Sequence, residues 1–145
     1  TPVLRYRTRD ITYLIDEPCE CGRTSRRIHR LMGRTDDMLI IRGVNVFPQQ
    51  VEQVLLRVEH VEPHYRLFVD REGNMDSLTV EVEMSESLFS DDLADIIALE
   101  RAIERELHAE TGIQARCVLV NPQTIERSEG KAKRVFDRRK VTTHV

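Results

Sequence analysis

Gly33-Arg34-Thr35-Asp36-Asp37-Met38-Leu39-Ile40-Ile41-Arg42-Gly43-Val44-Asn45-Val46-Phe47-Pro48 carries the clearest local signals in this chain. Met38 to Ile41 is an apolar, β-branched run, Gly43 permits a turn, and Val44 to Phe47 returns, so a hairpin is expected. Pro48 suits the first position of a helix, where its missing N–H is not needed. Val51, Val54, Leu55 and Val58 then follow at helical spacing. Further on, Tyr65, Leu67 and Val69 alternate with polar neighbours, Arg71-Glu72-Gly73-Asn74 is turn chemistry, and Leu78, Val80, Val82 and Met84 alternate strictly. Ser90-Asp91-Asp92 reads as a helix start with acids at the positive end of the dipole. Leu93, Ile96, Ile97, Ile103 and Leu107 form its apolar stripe up to Gly112, and Ile113 to Leu119 is a last strand. The expected fold class is α+β: a small sandwich of about three core strands plus a hairpin, two helices on one face, and a basic tail.

Before Gly33 the pattern changes. Leu4 to Ile15 reads as extended chain with a turn near Glu17-Pro18, and Cys21 to Arg30 has no strong period. An extended segment needs a sheet to satisfy its backbone groups, and here that partner is expected to lie outside the chain. Residues 1–32 therefore stand apart from the amphipathic unit that begins at Gly33.

The chain has 145 residues, suited to one domain, with 40% hydrophobic and 32% charged residues. Its 22 basic and 25 acidic residues give a net charge of −3, so bulk charge favours neither nucleic acid nor an anionic membrane. No apolar run approaches the roughly 20 residues that span a bilayer, and TPVLRYRTRD is too polar for a secretory signal. The cysteines, Cys19, Cys21 and Cys117, are odd in number, which fits a reducing, cytoplasmic compartment better than a disulfide framework. Cys19 and Cys21 are either two reduced surface thiols or half of a structural Zn2+ site completed from outside this chain, with His29 the nearest further candidate ligand.

Three segments break the amphipathic pattern. In Tyr6-Arg7-Thr8-Arg9-Asp10, a carboxylate after a strand can hold the two vicinal hydroxyls of a ribose, although such an Asp is more often a turn residue. In Gly33-Arg34-Thr35-Asp36-Asp37, a glycine and charged residues before a hairpin make a flexible joint from which Arg34 can reach a phosphate or ribose; Gly43 allows close approach of a ligand to the backbone. The bland reading is a polar turn. In Arg127-Ser128-Glu129-Gly130-Lys131-Ala132-Lys133-Arg134, a glycine-flanked lysine suits neutralisation of a phosphate or carboxylate; standing alone it would be a solvated basic tail. A nucleic-acid module is opposed by an aromatic content of 5%, no Trp and no aromatic pair on a strand. A ligand-sensing or dimerising α+β domain leaves the Gly130-Lys131 segment unexplained.

Taken in order, the three segments resemble the adenylate-forming superfamily of acyl- and aryl-CoA synthetases and nonribosomal adenylation domains. YRTRD resembles its ribose-binding motif, GRTDDMLIIRGVNVFPQQVE its hinge and following hairpin, and RSEGKAKRVFDRR its C-terminal motif with the catalytic lysine. Arg9, where most members have glycine, together with DDMLIIRGVNVFP and RSEGKA, is similar to the phenylacetate–CoA ligase branch. The resemblance implies that residues 1–32 are the tail end of a large N-terminal AMP-binding domain plus a linker, and that 33–145 are a C-terminal lid that rotates between two half-reactions of an aryl-CoA ligase, inactive as an isolated fragment. It implies Lys131 as the catalytic cation of adenylation, Asp10 and Arg34 as nucleotide-binding, Asp36 as the hinge, and Gly43 on the pantetheine path. It also implies ATP, Mg2+ and coenzyme A as ligands of the full enzyme. The partners it implies are a small aryl carboxylate and the chain's own N-terminal domain, with a homodimer as a further option and neither nucleic acid nor membrane. The runner-up is a related ligase for another aryl acid, or a deazaflavin-cofactor adenylyltransferase.

Overall fold

The computed structural model describes residues 4–86, 88, 93–127 and 133–139. Its centre is a four-stranded sheet in the order β10-β7-β8-β9, made of β7 (Val61–Glu72), β8 (Met75–Met84), β9 (Ala115–Val120) and β10 (Val135–Asp137). β7 and β8 form a long antiparallel hairpin through Gly73, whose φ of +62° suits glycine. β9 pairs parallel to β8, with Val80 opposite Cys117 and Val82 opposite Leu119, and β10 pairs parallel to β7.

Two helices, α1 (Pro48–Leu55) and α2 (Leu93–Thr111), and the hairpin of β5 (Leu39–Ile41) and β6 (Val44–Val46) complete the core. Period-two alternation puts Tyr65, Leu67, Val69, Leu78, Val80 and Val82 into it. Val51, Val54 and Leu55 of α1 and Ile103 and Leu107 of α2 meet them at helical spacing. Leu67, Val80, Val82, Ile103 and Leu107 are fully enclosed, each stabilising the fold by about 1.5–3 kcal/mol through burial. Helix α1 starts at Pro48, and the Phe47 N–H donates to Gln50 Oε1 at 2.9 Å. Helix α2 ends where Gly112, at φ +76°, donates to the His108 carbonyl.

The expected α+β class, hairpin and two helices are present, with three differences from the sequence reading. First, Val135–Asp137 is a fourth strand rather than part of a basic tail: Val135 lies opposite Leu67 facing the core, and Phe136 stacks on Phe68 with centroids 5.2 Å apart. Second, Leu93 and Ile97 of the expected stripe are 67% and 40% exposed, because α2 packs on the sheet through its later turns. The expected start at Ser90-Asp91-Asp92 lies outside the described residues. Third, the segment before Gly33 finds partners within the chain. β1 (Asp10–Ile11) pairs with β4 (Gly33–Arg34), and β2 (Leu14–Ile15) pairs with β3 (Arg27–Ile28).

The outer edge of β9 is protected from α2. Glu104 Oε1 accepts the Cys117 N–H and Glu100 Oε1 accepts the Leu119 N–H, both at 3.0 Å. These bonds occupy donors that an edge strand would otherwise offer to another chain. Cys117 is buried behind them, and burial, with the two glutamates adding to it, pushes its thiol up to about 12. The thiolate is the reactive form. A thiol reagent at pH 8 is therefore expected to label Cys19 and Cys21 in the folded chain and Cys117 only after unfolding; labelling of all three at one rate would contradict this packing.

Candidate nucleotide and hinge site

Pairing of β1 with β4 sets Asp10 opposite Arg34 and so joins the first two motifs. Arg34 clasps Asp36 with two bonds, Nε to Oδ1 and Nη2 to Oδ2, each 2.9 Å. Its Nη1 lies 3.5 Å from Asp10 Oδ1, and Arg9 Nη1 approaches Asp36 Oδ2 at 3.6 Å. Hydrogen bonding from Arg34 holds the Asp36 carboxyl below its ordinary range, and Asp36 in turn raises the Arg34 guanidinium. The Thr35 N–H and hydroxyl both donate to the Arg9 carbonyl, at 2.8 and 3.2 Å, fixing the strand before the turn. An anion reaching Arg34 must therefore compete with Asp36, whereas Asp10 keeps most of its acceptor capacity.

From Asp36 a cleft of about 390 Å³ runs between Pro48, Gln49 and Glu52 of α1 and the segment Lys133-Arg134-Val135. Arg134 is held in it by Glu52 Oε1 at 2.5 Å and Tyr65 Oη at 3.3 Å, with its guanidinium 4.8 Å from the Tyr65 ring centroid. Burial is the largest influence on the Tyr65 hydroxyl and raises its pKa. Lys131 itself lies outside the described residues, but its flanks are fixed at both ends. Before it, Glu83, fully buried on β8, accepts the Ile125 N–H at 2.6 Å and an Arg127 Nη2 bond at 2.7 Å. After it, Arg134 is clamped as above. The described chain is thus held on either side of the lysine, and the second of these anchors shares the cleft with Asp36.

Gly43 is elsewhere. It shares the two-residue turn of the β5–β6 hairpin with Arg42, and both have positive φ, +53° and +79°, as a type I′ turn requires. A Cβ on Gly43 would meet nothing within 4 Å, so backbone conformation, not close packing, demands glycine there. Cys19 and Cys21 are brought together, with Sγ atoms 2.9 Å apart. That hydrogen bond lowers the Cys19 thiol, with Arg27 adding to the effect. His29 does not join them: its ring stacks on Tyr13 at 4.4 Å and its Nδ1 lies 3.0 Å from the Arg30 carbonyl. Among the described residues no three His, Cys, Asp or Glu gather as a metal site, and no helix is long and apolar enough to cross a membrane.

A family model described as the AMP-binding enzyme C-terminal domain matches residues 43–139. The chain belongs to that family. Its relatives place this AMP-binding C-terminal domain among ligases. It is 46% identical over 97% of its length to phenylacetate-coenzyme A ligase of Escherichia coli K12, and it spans 31% of that protein, so the chain is about a third of the length of such relatives. A solved domain of phenylacetate-coenzyme A ligase from Bacteroides vulgatus is 40% identical with a TM-score of 0.67, covering 73% of this chain and 96% of that one. The third relative, 2-hydroxyisobutyryl-CoA ligase, is 32% identical. In its postadenylation state with 2-HIB-AMP the TM-score is 0.80, over 90% of this chain and 28% of that one. In its thioesterification state with 2-HIB-AMP and CoA the score is 0.69, over 92% and 28%.

Sequence reasoning did not single out Glu83, Glu52 or Tyr65 in this AMP-binding C-terminal domain. Glu83 sits in a strictly alternating strand and reads as a solvent-facing residue. Only Ile125 and Arg127, 42 and 44 positions away, reveal that this face is covered.

Proposed function

We propose that the chain is the C-terminal lid portion of a phenylacetate–CoA ligase. The single observation that carries this is 46% identity to a ligase of that name along 97% of the chain, with all three expected motifs inside the matched length. In the proposed reaction an aryl carboxylate oxygen attacks the α-phosphorus of ATP and pyrophosphate leaves. The thiol of coenzyme A then attacks the acyl carbon of the adenylate and AMP leaves.

Lys131 faces the approaching carboxylate and α-phosphate, offsetting the repulsion between two anions. Asp10 accepts from the ribose hydroxyls, and Arg34 assists at ribose or phosphate once it parts from Asp36. Asp36 is the hinge, and Gly43 borders the pantetheine path after rotation. One rigid body would match two states of the same ligase equally; scores of 0.80 and 0.69 support a joint inside the matched length. Mg2+ would neutralise the ATP phosphates, and the described residues present no acidic cluster to hold it. They supply two of the roughly four ligands of a structural zinc, so no role is derived for that metal. Use of ATP and coenzyme A supports the cytoplasm as the compartment.

The test is made with the full-length protein. With ATP and phenylacetate it is expected to release pyrophosphate, and with added coenzyme A to form the thioester, while the 145-residue chain alone gives neither. Turnover by the isolated chain would overturn the lid reading, and a full-length protein inert toward aryl acids would overturn the activity.

A further inference from the structure

The β5–β6 hairpin pairs with no other strand among the described residues. Burial of Leu39, Ile41 and Val46 seats its inner side. That force is non-directional, so it sets the depth of the hairpin and leaves the angle of its turn open. Polar contacts hold the turn, and they converge on one residue. Asp76 lies in the core-facing row of β8, two positions before Leu78, and is only 8% exposed. Its carbonyl accepts from Arg42 Nε at 2.6 Å. Its carboxylate accepts from Arg71 Nε at 2.7 Å and from Arg139 Nη1 at 3.0 Å. The same Arg139 nitrogen donates to the Ile40 carbonyl at 2.6 Å. The turn is thus tied twice to Asp76, through its own Arg42 and through Arg139 to the strand that enters it.

Two departures from local preference mark this arrangement. A carboxylate in the apolar row of Leu78, Val80 and Val82 costs free energy unless charged donors surround it. Arg42 has a φ of +53°, a conformation that suits Asn, Asp or Gly and is uncommon for a long side chain. Holding the turn accounts for both. Arg71 is the contrast: it sits opposite Asp76 in the β7–β8 hairpin, and among the described residues its hydrogen bond is to Asp76 alone.

We propose that Asp76 is a positioning residue for thioester formation, fixing the Arg42–Gly43 turn where Gly43 borders the pantetheine path. The inference rests on the ligase reading for the role of that turn. Asparagine at this position keeps the backbone carbonyl and nearly the same shape. Its single side-chain oxygen can serve one guanidinium, and its amide N–H groups face the other, so the link through Arg139 to Ile40 loosens. Asp137 also binds Arg139, through Nε at 2.9 Å, and keeps that side chain on β10 when Asp76 lets go.

The test uses the full-length protein and its Asp76→Asn, Arg139→Gln and Arg71→Gln variants. Single-turnover thioester formation from preformed acyl-adenylate and coenzyme A is expected to slow on the order of tenfold in the first two, the effect of losing one charge-assisted bond. Pyrophosphate release without coenzyme A should stay unchanged. Arg71→Gln breaks a bond to the same carboxylate without touching the hairpin, and should slow neither half-reaction. The Asp76→Asn/Arg139→Gln double variant should be no slower than the slower single one, since both act through one contact. Equal slowing of both half-reactions, or the same pattern in Arg71→Gln, would make Asp76 merely structural and overturn the proposal. Amide exchange over residues 39–46 reads the turn without activity: it should quicken in Asp76→Asn and Arg139→Gln and not in Arg71→Gln. Unchanged exchange in all three would overturn the anchor even in an active ligase. That exchange pattern in a protein that makes no acyl-adenylate would keep the anchor and sink the ligase reading, so the two failures are distinguishable.

Discussion

In the full-length enzyme, Lys131→Ala is expected to slow acyl-adenylate formation by on the order of 10²–10³, the usual effect of losing one positioned electrostatic donor. Adenylation brings a carboxylate against a triphosphate, and in the proposed mechanism the lysine is the cation between them. Thioester formation, started from preformed acyl-adenylate and coenzyme A, should stay nearly normal if, as proposed, the lid then presents its Gly43 side. Asp36→Pro should behave differently. Proline fixes φ near −65° and is expected to favour one lid orientation, penalising the half-reaction that needs the other. It also removes the two bonds between Asp36 and Arg34, so Asp36→Ala is the necessary control: it frees Arg34 while leaving the backbone able to rotate. Pre-steady-state measurement of the two half-reactions in all three variants decides the matter. Equal losses in both halves for Lys131→Ala would make the lysine structural and end the two-orientation mechanism for this protein.

The second large effect is on stability. Glu83→Ala removes the acceptor of the buried Ile125 N–H and empties space inside the covered face of β8. An unsatisfied buried donor costs about 1–3 kcal/mol, and the lost packing adds to that. Arg127 contributes little, since its side chain is 47% exposed and rehydrates when its partner goes. Glu83→Gln keeps an oxygen for Ile125 and nearly the same shape, so its cost should stay within about 1 kcal/mol. Urea unfolding of both variants separates the cases. Equal, small shifts in midpoint would mean that Glu83 does not anchor the segment leading to Lys131. If the anchor is real, Glu83→Ala should also slow adenylation in the full-length enzyme more than thioester formation, because Lys131 follows this segment by a few residues.

Several features were legible from local pattern alone. Leu78, Val80, Val82 and Met84 alternate, and β8 runs Met75–Met84 with those side chains buried. Gly43 marks a two-residue hairpin, and the turn has the positive φ values that glycine accommodates. Gly112 ends α2 in the left-handed conformation. By contrast, Val135-Phe136-Asp137 is too short to announce a strand; it becomes one because Leu67, Phe68 and Val69 offer a free parallel edge. Leu93 and Ile97 fit a helical stripe, yet the sheet ends before it reaches them. Of the site, Asp10 belongs to one motif and Arg34 and Asp36 to another, and the approach of Asp10 to Arg34 depends on the β1–β4 pairing. Arg134 meets Glu52 across 82 positions, a spacing that no window of sequence can register.

The sequence by itself determined the α+β class, the main strands and helices, and the family motifs, because burial on one face imprints a period of 2 or 3.6 on neighbouring residues. The tertiary structure alone decided which charges are neutralised: Glu83 meets Arg127, Arg134 is clamped by Glu52, and Arg34 approaches Asp10. Charge pairing acts through space over a few ångströms, and residues remote in the chain come within that range only when the sheet and helices have packed.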